Sequence, residues 1–311
     1  MKGWCLVLLS AVLGGGCYSS RVITVQDKDV SSDHRIFRIA SLTKIMMEPV
    51  LWKLEDTHAI DFDRPVTDYF KDPLPPEFEK VTLRDLHDNK SGLPREFLDL
   101  LCLGDVYSAA KCGCVGSNLY EEFDTRKGFV RKLWRKNVRA ALLRRNAGYS
   151  NMGYALLMMA ITDATGRSIQ ELCETELVRP LGLKDTTFVP NDAQRARLTM
   201  ACAGNLPWLR FEGQEIPDHR DGEITFLAGG MLSSAADILT VAKVVQQQLD
   251  RAKGLLKEKT LPSGHHILYR SGMIYGGNAF LGFDLESKHI AVILKNVTSW
   301  WSDAGFVYMN N

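Results

Sequence analysis

The sequence has no excess of charge of either sign. It carries 38 Lys and Arg residues against 37 Asp and Glu residues, which leaves a formal net charge of +1. Proteins that bind nucleic acid usually carry a clear excess of basic residues, so this balance argues against a nucleic-acid partner. With 24% charged and 45% hydrophobic residues, the chain has the composition of an ordinary globular protein.

Proline is scarce, glycine is close to its average frequency, and cysteines are few. The 25 glycines and 11 prolines among 311 residues exclude collagen-like and low-complexity chains. Seven cysteines are too few, and odd in number, for a disulfide scaffold of this length. Three of them, Cys102, Cys112 and Cys114, lie close together in one segment. The sequence allows either a local disulfide there or unpaired thiols. Their spacing lacks the two-residue gap of a typical zinc site.

No hydrophobic run is long enough to cross a bilayer. The apolar run Trp4–Leu13 follows a basic residue and precedes Gly14–Gly16 and Cys17, which is the order of a secretory signal peptide. We therefore expect export, either to the periplasm or to a membrane as a lipoprotein attached through a lipidated Cys17. The alternative is that Trp4–Ala11 is a buried strand.

Strand signals lie at both ends of the chain, and helical signals lie between them. Residue type predicts strands over Val22–Val25, Asn278–Phe283 and His289–Leu294. Apolar spacing predicts helices over Gly153–Ala164 and Ser168–Leu177. A further helix is predicted to begin near Ser41 and to kink at Pro49, which has no backbone donor. The pattern predicts an α+β fold with a signal at 1–17, a sheet region at 18–75 and 220–311, and a mainly helical region at 76–219.

The strongest chemical signal is Ser41-Leu42-Thr43-Lys44. At 3.6 residues per turn, Ser41 and Lys44 share one helix face. A serine hydroxyl becomes a nucleophile when a neighbouring base takes its proton, and an amine removed from water can be that base. The start of the helix also places the backbone N–H of Ser41 near an oxygen that becomes negative. The alternative, a helix cap followed by a solvated lysine, is the more common origin of this spacing alone.

Two later segments offer matching groups. Tyr149-Ser150-Asn151 places a phenol and an amide on a turn that leads into a helix. Arg270-Ser271-Gly272-Met273 offers a cation, a hydroxyl and a glycine just before the terminal strands. Glycine there lets a substrate backbone approach a strand edge, and the cation can hold a carboxylate.

In this order the three motifs resemble the serine β-lactamase and penicillin-binding protein family, in the branch of class C β-lactamases, D-alanyl-D-alanine carboxypeptidases and related esterases. Tyr149-Ser150-Asn151 matches the second motif of that branch, Tyr-x-Asn. Further stretches look like the same branch: Ser91–Pro94, Pro180–Leu183, Asp185–Phe188 and Ala228–Ser234. The resemblance runs from about Phe37 to Asn296. It implies the β-lactamase/transpeptidase-like fold, an antiparallel sheet flanked by helices with an inserted helical region.

The resemblance also implies acyl transfer through Ser41. Lys44 would lower the proton affinity of the Ser41 hydroxyl. Tyr149 would pass the proton to the leaving group and later activate water, and Asn151 would hold the substrate amide. No cofactor and no metal take part in this chemistry, and the seven histidines show no metal-ligand spacing.

Substrate contacts are implied as well. The oxyanion would lie between the backbone N–H groups of Ser41 and Met273, and Arg270 and Ser271, followed by Gly272, would face a substrate carboxylate. Where the family has lysine, histidine or tryptophan this chain has Arg270, which can hold a carboxylate but cannot accept a proton. Serine also replaces the usual threonine.

Hydrolysis of a D-alanyl peptide or β-lactam amide is the leading prediction. A carboxylesterase or transesterase needs the same groups without any carboxylate on the substrate. A non-catalytic module of the penicillin-binding type would keep the cleft without turnover. These three alternatives stay open at the level of sequence.

One segment falls outside this chemistry. The stretch 126–145 holds nine basic residues and no acidic residue, with apolar side chains at helical spacing. It predicts an amphipathic surface helix with a solvated basic face. The alternative is a binding surface for anionic lipid or an anionic wall polymer. His265-His266, after Pro262-Ser263-Gly264, is predicted to lie in a solvated turn.

Overall fold

Short strands and helices make up the structure, a computed structural model that describes residues 23–26, 34–95, 125–144, 148–199, 205–206, 209–210, 223–274, 277–296, 305–306 and 309–310. The α-helices are α1 (Leu42–Met46), α2 (Glu48–Asp56), α3 (Leu83–His87), α4 (Arg126–Leu133), α5 (Lys136–Arg144), α6 (Asn151–Thr165), α7 (Ile169–Cys173), α8 (Arg179–Leu181), α9 (Asp192–Arg195), α10 (Glu223–Gly229), α11 (Ala235–Gln246) and α12 (Leu249–Ala252). A π-helical turn, Glu174–Val178, joins α7 to α8, and 3-10 turns lie at Val66–Asp68, Pro76–Lys80 and Lys253–Leu255.

The strands are β1 (Ile23–Gln26), β2 (Phe37–Arg38), β3 (Asn205–Leu206), β4 (Leu209–Arg210), β5 (Leu232–Ser233), β6 (Lys257–Thr260), β7 (His266–Ile274), β8 (Gly277–Asp284) and β9 (Ile290–Lys295). The chain divides into two compact units. The described residues of 1–49, 173–218 and 229–311 form the first unit, and those of 50–172 and 219–228 form the second.

A five-stranded antiparallel sheet lies in the first unit, in the order β1-β9-β8-β7-β6. Nearly every residue of β8 and β9 is buried, so both faces of the sheet are covered. Helix α11 packs against β9 and β1, and α1 packs against α11, β7 and β8. Phe280, Ala291 and Ile293 form an apolar cluster with Phe306 and Met309 packed against it.

Helix α6 is the most deeply buried helix described in the second unit. Every residue from Met152 to Ile161 is buried, which is typical of a helix enclosed by its own domain. The Ser150 side chain caps its start by accepting a hydrogen bond from the Gly153 N–H, at 2.8 Å. The helix ends at Gly166, whose φ of 67° is the left-handed conformation that favours glycine.

Most of the predicted elements are confirmed. The strands expected near residues 22–25, 278–283 and 289–294 are β1, β8 and β9, and α6 covers the helix expected at 153–164. The predicted kink at Pro49 is a full break, because α1 ends at Met46 and α2 restarts at Glu48. Strand β6 was missed, since its four residues are all exposed and leave no apolar alternation to read.

The compact units have other boundaries than the regions predicted at 18–75, 76–219 and 220–311. The first unit includes residues 173–218, which were predicted to lie in the helical region. It does not include residues 50–75, which were predicted to lie in the sheet region. The spacing of apolar residues along the chain does not reveal the boundaries of compact units, because these boundaries depend on contacts between segments that are distant in the sequence. The predicted signal at 1–17 lies outside the described residues.

His265 and Asp284 join the two ends of the β7–β8 hairpin. The His265 Nδ1 lies 2.6 Å from Asp284 Oδ2, and Asp284 Oδ1 accepts hydrogen bonds from the backbone N–H groups of Glu286 and Ser287. The predicted solvated turn at His265-His266 is therefore wrong, since His266 begins β7 and His265 is paired. Burial would raise the pKa of Asp284, but the hydrogen bonds from His265 and Ser287 outweigh it and hold the pKa at about 2. The same hydrogen bond raises the pKa of His265.

The pair should stabilise the fold only within a pH window. Its contribution is complete below the ordinary histidine pKa of 6.5 and is lost as pH rises through the raised pKa of His265. At the acid end it is complete above the ordinary aspartate pKa of 3.8 and is lost as pH falls through about 2. Urea unfolding of His265→Asn should therefore differ most from the unchanged protein between these two ordinary values. His58→Asn, an exposed site with φ of 56° that asparagine tolerates, is the control. A stability difference that does not vary with pH would contradict the prediction.

Candidate active site

The predicted site residues fall in both units. Ser41, Lys44 and the segment 270–273 belong to the first unit, whereas Tyr149 and Asn151 belong to the second. Each set is held by contacts within its own unit, and these contacts explain several of the segments on which the family resemblance rests.

Ser41 lies on a constrained turn directly before α1. The preceding residue, Ala40, has φ of 48°, a left-handed conformation that costs a residue with a Cβ about 1 to 2 kcal/mol. The turn is held by hydrogen bonds from the N–H of Leu42 to the Ile39 carbonyl and from the N–H of Thr43 to the Ala40 carbonyl, at 3.1 and 2.8 Å. The half-buried Ser41 side chain makes no capping hydrogen bond to the helix. Its hydroxyl is thus not used as a helix cap.

Lys44 is fully buried, with 0% of its surface exposed. A lysine at a helix surface normally keeps its ammonium in water, because burying that charge is costly. Removal from water disfavours the charged form of an amine, which is the condition for a proton acceptor. The alternative explanation of this motif, a cap followed by a solvated lysine, fails for both Ser41 and Lys44.

A glycine-containing segment, 229–234, supports the start of α1. The Ile39 N–H donates to the Met231 carbonyl, and the Met231 N–H donates to Thr43 Oγ1, both at 3.2 Å. The Gly229 backbone packs against Ala40, since a Cβ built on Gly229 would lie 3.5 Å from the Ala40 carbonyl carbon. The stretch Ala228–Ser234 therefore holds the turn that carries Ser41. Sequence reasoning did not assign this role to Thr43.

Strand β7 passes close to the backbone of Ser41 at Gly272. A Cβ built on Gly272 would lie 2.5 Å from the Ile39 oxygen and 2.9 Å from the Ser41 nitrogen, both closer than real Cβ contacts. The glycine was predicted to admit a substrate backbone. In the structure its missing side chain instead makes room for the chain's own segment 39–41.

Gly272→Ala should therefore lower both stability and reactivity. The added methyl must push β7 away from segment 39–41, which should cost about 1 to 3 kcal/mol in the free energy of unfolding. The motif predicts acylation at Ser41, and a displacement of this size should slow that reaction roughly tenfold to a hundredfold. Gly148→Ala, where a Cβ would meet no atom within 4 Å, is the control for melting temperature. Equal melting temperatures and acylation rates for Gly272→Ala and the unchanged protein would rule out this close contact.

Arg270 is largely enclosed by protein. It is 5% exposed, and its Nη1 donates to the Leu255 carbonyl at 2.9 Å. Because side chains alternate along a strand, Arg270 shares a face with Gly272, whereas Ser271 and Met273 point the other way. Ser271 is half-buried and Met273 is 42% exposed. At least one donor of the guanidinium predicted to face a substrate carboxylate is thus bound to the protein itself.

The edge of β7 that faces β6 is covered over only part of its length. The β6–β7 pairing extends from Thr260 opposite His266 to Lys257 opposite Tyr269. Among the described residues, no strand pairs with this edge from residue 270 to residue 274. An uncovered strand edge offers backbone donors and acceptors to an extended ligand.

A buried polar network explains the stretch Asp185–Phe188. The carboxylate oxygen Oδ2 of Asp237 accepts hydrogen bonds from the Asp185 N–H and the Thr186 hydroxyl, at 2.7 and 2.8 Å. Thr186 Oγ1 also lies 2.8 Å from Ser233 Oγ. Since buried polar groups are costly unless paired, this network gives these residues a structural role beside β5.

In the second unit, Tyr149 and Asn151 are in direct contact. The Tyr149 hydroxyl donates to Asn151 Oδ1 at 2.5 Å, and both side chains are half-buried. The turn is held by the segment 91–95, because the Ser150 hydroxyl donates to the Pro94 carbonyl at 2.6 Å and the Asn151 N–H donates to the Arg95 carbonyl at 2.8 Å. The stretch Ser91–Pro94 thus fixes the phenol and the amide in the second unit.

Arg95 is a neighbour of Tyr149 that the sequence motifs did not identify. Its guanidinium carbon lies 5.5 Å from the centroid of the Tyr149 ring. A cation over an aromatic face is attracted to the ring electrons, so this contact orients the ring. The only available signal in the sequence was its position directly after Ser91–Pro94.

Few of the remaining reactive groups bear on this chemistry. Cys173 is buried, and burial raises the pKa of its thiol to about 12, which leaves it inert. Cys17, Cys102, Cys112 and Cys114 lie outside the described residues.

In the part of the chain that the structure describes, no helix is both long and apolar enough to cross a membrane.

One group of side chains has metal-ligating atoms close together. The ligand atoms of His265, Asp284 and Glu286 lie within 4.8 Å of one another. The backbone N–H of His266 donates to Glu286 Oε2 at 2.8 Å, and the other two residues form the pair described above. These hydrogen bonds give the group a structural role at the end of the β7–β8 hairpin.

Known proteins share both the sequence pattern and the fold. D-alanyl-D-alanine-carboxypeptidase/endopeptidase AmpH of Escherichia coli strain K12 is 31% identical over 179 residues, which are 55% of this chain and 42% of AmpH. Beta-lactamase-like protein 4 of Dictyostelium discoideum is 25% identical over 285 residues, which are 84% of this chain and 44% of that protein. The chain thus spans less than half the length of these curated relatives.

Solved structures confirm the predicted β-lactamase/transpeptidase-like fold. The octameric penicillin-binding protein homologue from Pyrococcus abyssi superimposes with a TM-score of 0.71 at 21% identity, covering 93% of this chain and 72% of that one. A class C beta lactamase from Rhodobacter sphaeroides gives 0.66 at 17% identity, covering 89% of this chain and 84% of that one. The family profile described as Beta-lactamase matches residues 11–305. Since this match runs through nearly the whole sequence, the chain belongs to the beta-lactamase family.

Proposed function

We propose that the protein is a serine hydrolase that forms an acyl-enzyme on Ser41 and hydrolyses a D-alanyl peptide or a β-lactam amide. One observation carries the proposal: the Ser41 hydroxyl is not used as a helix cap, while Lys44, three residues later, is fully buried. A lysine on the surface of a helix would keep its charged group in water. A lysine that accepts the proton of a serine nucleophile must instead be held out of water, so that its amine is neutral.

The proposed reaction has two steps. In the first, Ser41 Oγ gives its proton to the neutral amine of Lys44 and bonds to the carbonyl carbon of the substrate. The backbone N–H groups of Ser41 and Met273 stabilise the negative oxygen. Tyr149 gives its hydroxyl proton to the leaving nitrogen and takes the one held by Lys44, so the C–N bond breaks and an ester to Ser41 remains.

Water completes the cycle in the second step. It loses a proton to Tyr149, which passes its own hydroxyl proton to Lys44, and it attacks the ester carbonyl. The bond to Ser41 Oγ breaks, a carboxylic acid is released, and Lys44 returns the proton to Ser41 Oγ. Asn151 holds the substrate amide in this scheme. Its hydrogen bond with the Tyr149 hydroxyl supports a shared role for the two side chains.

The substrate class is proposed from Arg270 and from the curated relative. AmpH is named a D-alanyl-D-alanine-carboxypeptidase/endopeptidase. A substrate of that kind carries a carboxylate beside the bond that is cut. Arg270, at the start of the third motif, is the cation proposed to hold that carboxylate, whereas Ser271 points to the opposite face of β7.

A carboxylesterase is the second candidate function, and one observation favours it. Arg270 is 5% exposed and already donates to the Leu255 carbonyl. If that bond persists when substrate binds, the guanidinium has a structural role, and a neutral ester suits the same Ser41, Lys44 and Tyr149.

Intact-protein mass spectrometry tests the proposal directly. The chain is incubated separately with a fluorescent penicillin and with a short-chain aryl ester, and the mass added to the protein is followed over time. We expect an adduct on Ser41 with at least one of the two, followed by its loss through hydrolysis. A chain that never gains mass would be a non-catalytic module, and the proposal would be wrong.

Arg270→Ala separates the two candidate functions. If Arg270 pairs with a carboxylate, its loss should weaken catalysis on a penicillin or a D-alanyl peptide by roughly 2 to 5 kcal/mol. Hydrolysis of a neutral short-chain ester should barely change. The ratio of kcat/KM for the two substrate types is the measurement, since a fall in stability affects both alike. Equal losses of kcat/KM on the two substrate types would favour the carboxylesterase function over the peptidase function.

A further inference from the structure

The predicted amphipathic helix at 126–145 is two consecutive helices, α4 and α5, in the second unit. Their apolar side chains Phe129, Leu133, Val138 and Leu142 are buried. Five of the eight residues exposed between 126 and 144 are basic, and the sequence there contains no Asp or Glu.

Two arginines of these helices already have carboxylate partners. Arg126 Nε donates to Asp72 Oδ2 at 2.5 Å, and its Nη1 donates to Asp163 Oδ1 at 2.9 Å. Arg139 Nε donates to Glu77 Oε1 at 2.9 Å. These ion pairs anchor α4 and α5 to the unit. Lys132 is buried as well, so three of the basic residues are tied to the unit, and the exposed basic residues lie at other positions of the two helices.

Six of the exposed residues form what we call the basic helix surface: Lys127, Arg131, Trp134, Lys136, Leu143 and Arg144. On α4, Lys127, Arg131 and Trp134 follow one another at spacings of four and three residues and so share a face. On α5, Lys136 and Leu143 are seven residues apart, which again places them on one face.

Two large apolar side chains are exposed on these helices. Trp134 is 45% exposed and Leu143 is 72% exposed, and they are two of the four exposed large hydrophobic residues in the described part of the chain. The Trp134 ring is held in place, because its Nε1 donates to the Pro73 carbonyl at 3.2 Å. The core of the unit is already filled from the other face of both helices, so these two side chains contribute nothing to it.

We propose that the basic helix surface binds the headgroup region of an anionic phospholipid bilayer. Lysine and arginine attract acidic headgroups, and tryptophan is favoured at the boundary between headgroups and acyl chains. An exposed leucine surrounded by cations buries its side chain only if that side chain enters an apolar region, such as the acyl chains of a bilayer. A nucleic acid would satisfy the charges but would leave Leu143 in water, and the chain as a whole is near neutral. The proposal is independent of the reaction proposed at Ser41.

Vesicle co-sedimentation of the full chain tests this proposal. The protein carries Cys17→Ser, so that no lipid attached to that cysteine contributes. Vesicles of phosphatidylcholine alone are compared with vesicles containing about 30 mol% phosphatidylglycerol. We expect binding to the anionic vesicles that weakens as salt is added. Any membrane affinity of the apolar run at 4–13 is common to both vesicle types and cancels in the comparison.

Two variants locate the contact. Lys127→Gln, Arg131→Gln and Lys136→Gln together should weaken binding to anionic vesicles about a hundredfold, since each basic residue near such a surface contributes about fivefold. Leu143→Ser should weaken binding to anionic vesicles about tenfold. Because Leu143 is exposed, this substitution should leave the fold intact. The control, Lys184→Gln with Lys243→Gln and Lys257→Gln, removes the same charge from exposed sites of the first unit and should have little effect.

Three results would overturn the proposal. One is equal binding to both kinds of vesicle. Another is an equal loss in the control variant, which would mean that net charge alone matters. The third is binding to single-stranded DNA that is at least as tight as binding to vesicles and insensitive to Leu143→Ser, which would assign the surface to nucleic acid.

Discussion

Ser41→Ala is expected to abolish acyl-enzyme formation while leaving the fold intact. Loss of the nucleophile should lower turnover by several orders of magnitude, because no other group in the proposed reaction can form the ester. Stability should change by no more than about 0.5 kcal/mol, since the hydroxyl makes no capping hydrogen bond and the side chain is only half-buried. The measurements are mass gain with a fluorescent penicillin and an aryl ester, together with the midpoint of urea unfolding.

Ser263→Ala is the matched control for this experiment. Ser263 is exposed on the turn before β7 and belongs to the same unit. Both variants should unfold like the unchanged protein, and only Ser41→Ala should fail to gain mass. Acylation of Ser41→Ala at the rate of the unchanged protein would refute the assignment of the nucleophile.

Lys44→Met and Tyr149→Phe should each lower acylation about 10²- to 10⁴-fold, and the double variant should lose much less than the product of the two. The reason is that both side chains are proposed to handle the same proton, so removal of either already disables its transfer. Methionine matches the length of the fully buried lysine and avoids a cavity. Phenylalanine keeps the ring beneath Arg95 and removes only the hydroxyl that binds Asn151.

The control cycle combines Lys90→Met with Tyr69→Phe, a lysine that is 62% exposed and a half-buried tyrosine. These changes should leave the acylation rate close to that of the unchanged protein. Losses for Lys44→Met and Tyr149→Phe that multiply fully in the double variant would show that the two residues act independently. The shared proton pathway would then be wrong, even if Ser41 is the nucleophile.

The sequence predicted the helical spacing of Ser41 and Lys44 better than it predicted what surrounds them. A spacing of three residues places Ser41 and Lys44 on one helix face, because that relation is local. Whether Lys44 is solvated depends on the segments that cover α1, and these lie far away in the sequence. The choice between a helix cap and a buried base therefore required the structure.

The use of Gly272 shows the same limit. A glycine in a strand indicates that some backbone approaches closely, but it does not say which one. Here the approaching segment is 39–41, which the chain makes more than 200 residues earlier. Arg270 was likewise read from its type alone, and its hydrogen bond to Leu255 has no signature in the sequence.

The turn that carries Ser41 also sets when the reactivity proposed for Ser41 can arise during synthesis. Ser41 is made early, but its turn is supported by Met231 and lies against Gly272, which are residues 231 and 272 of 311. A ribosome-bound chain that has not reached these residues cannot hold Ala40 in its left-handed conformation by these contacts. The acylation proposed at Ser41 is thus a property that the nascent chain acquires late. If a fluorescent penicillin acylates Ser41 as proposed, it would label finished molecules and pass over incomplete ones.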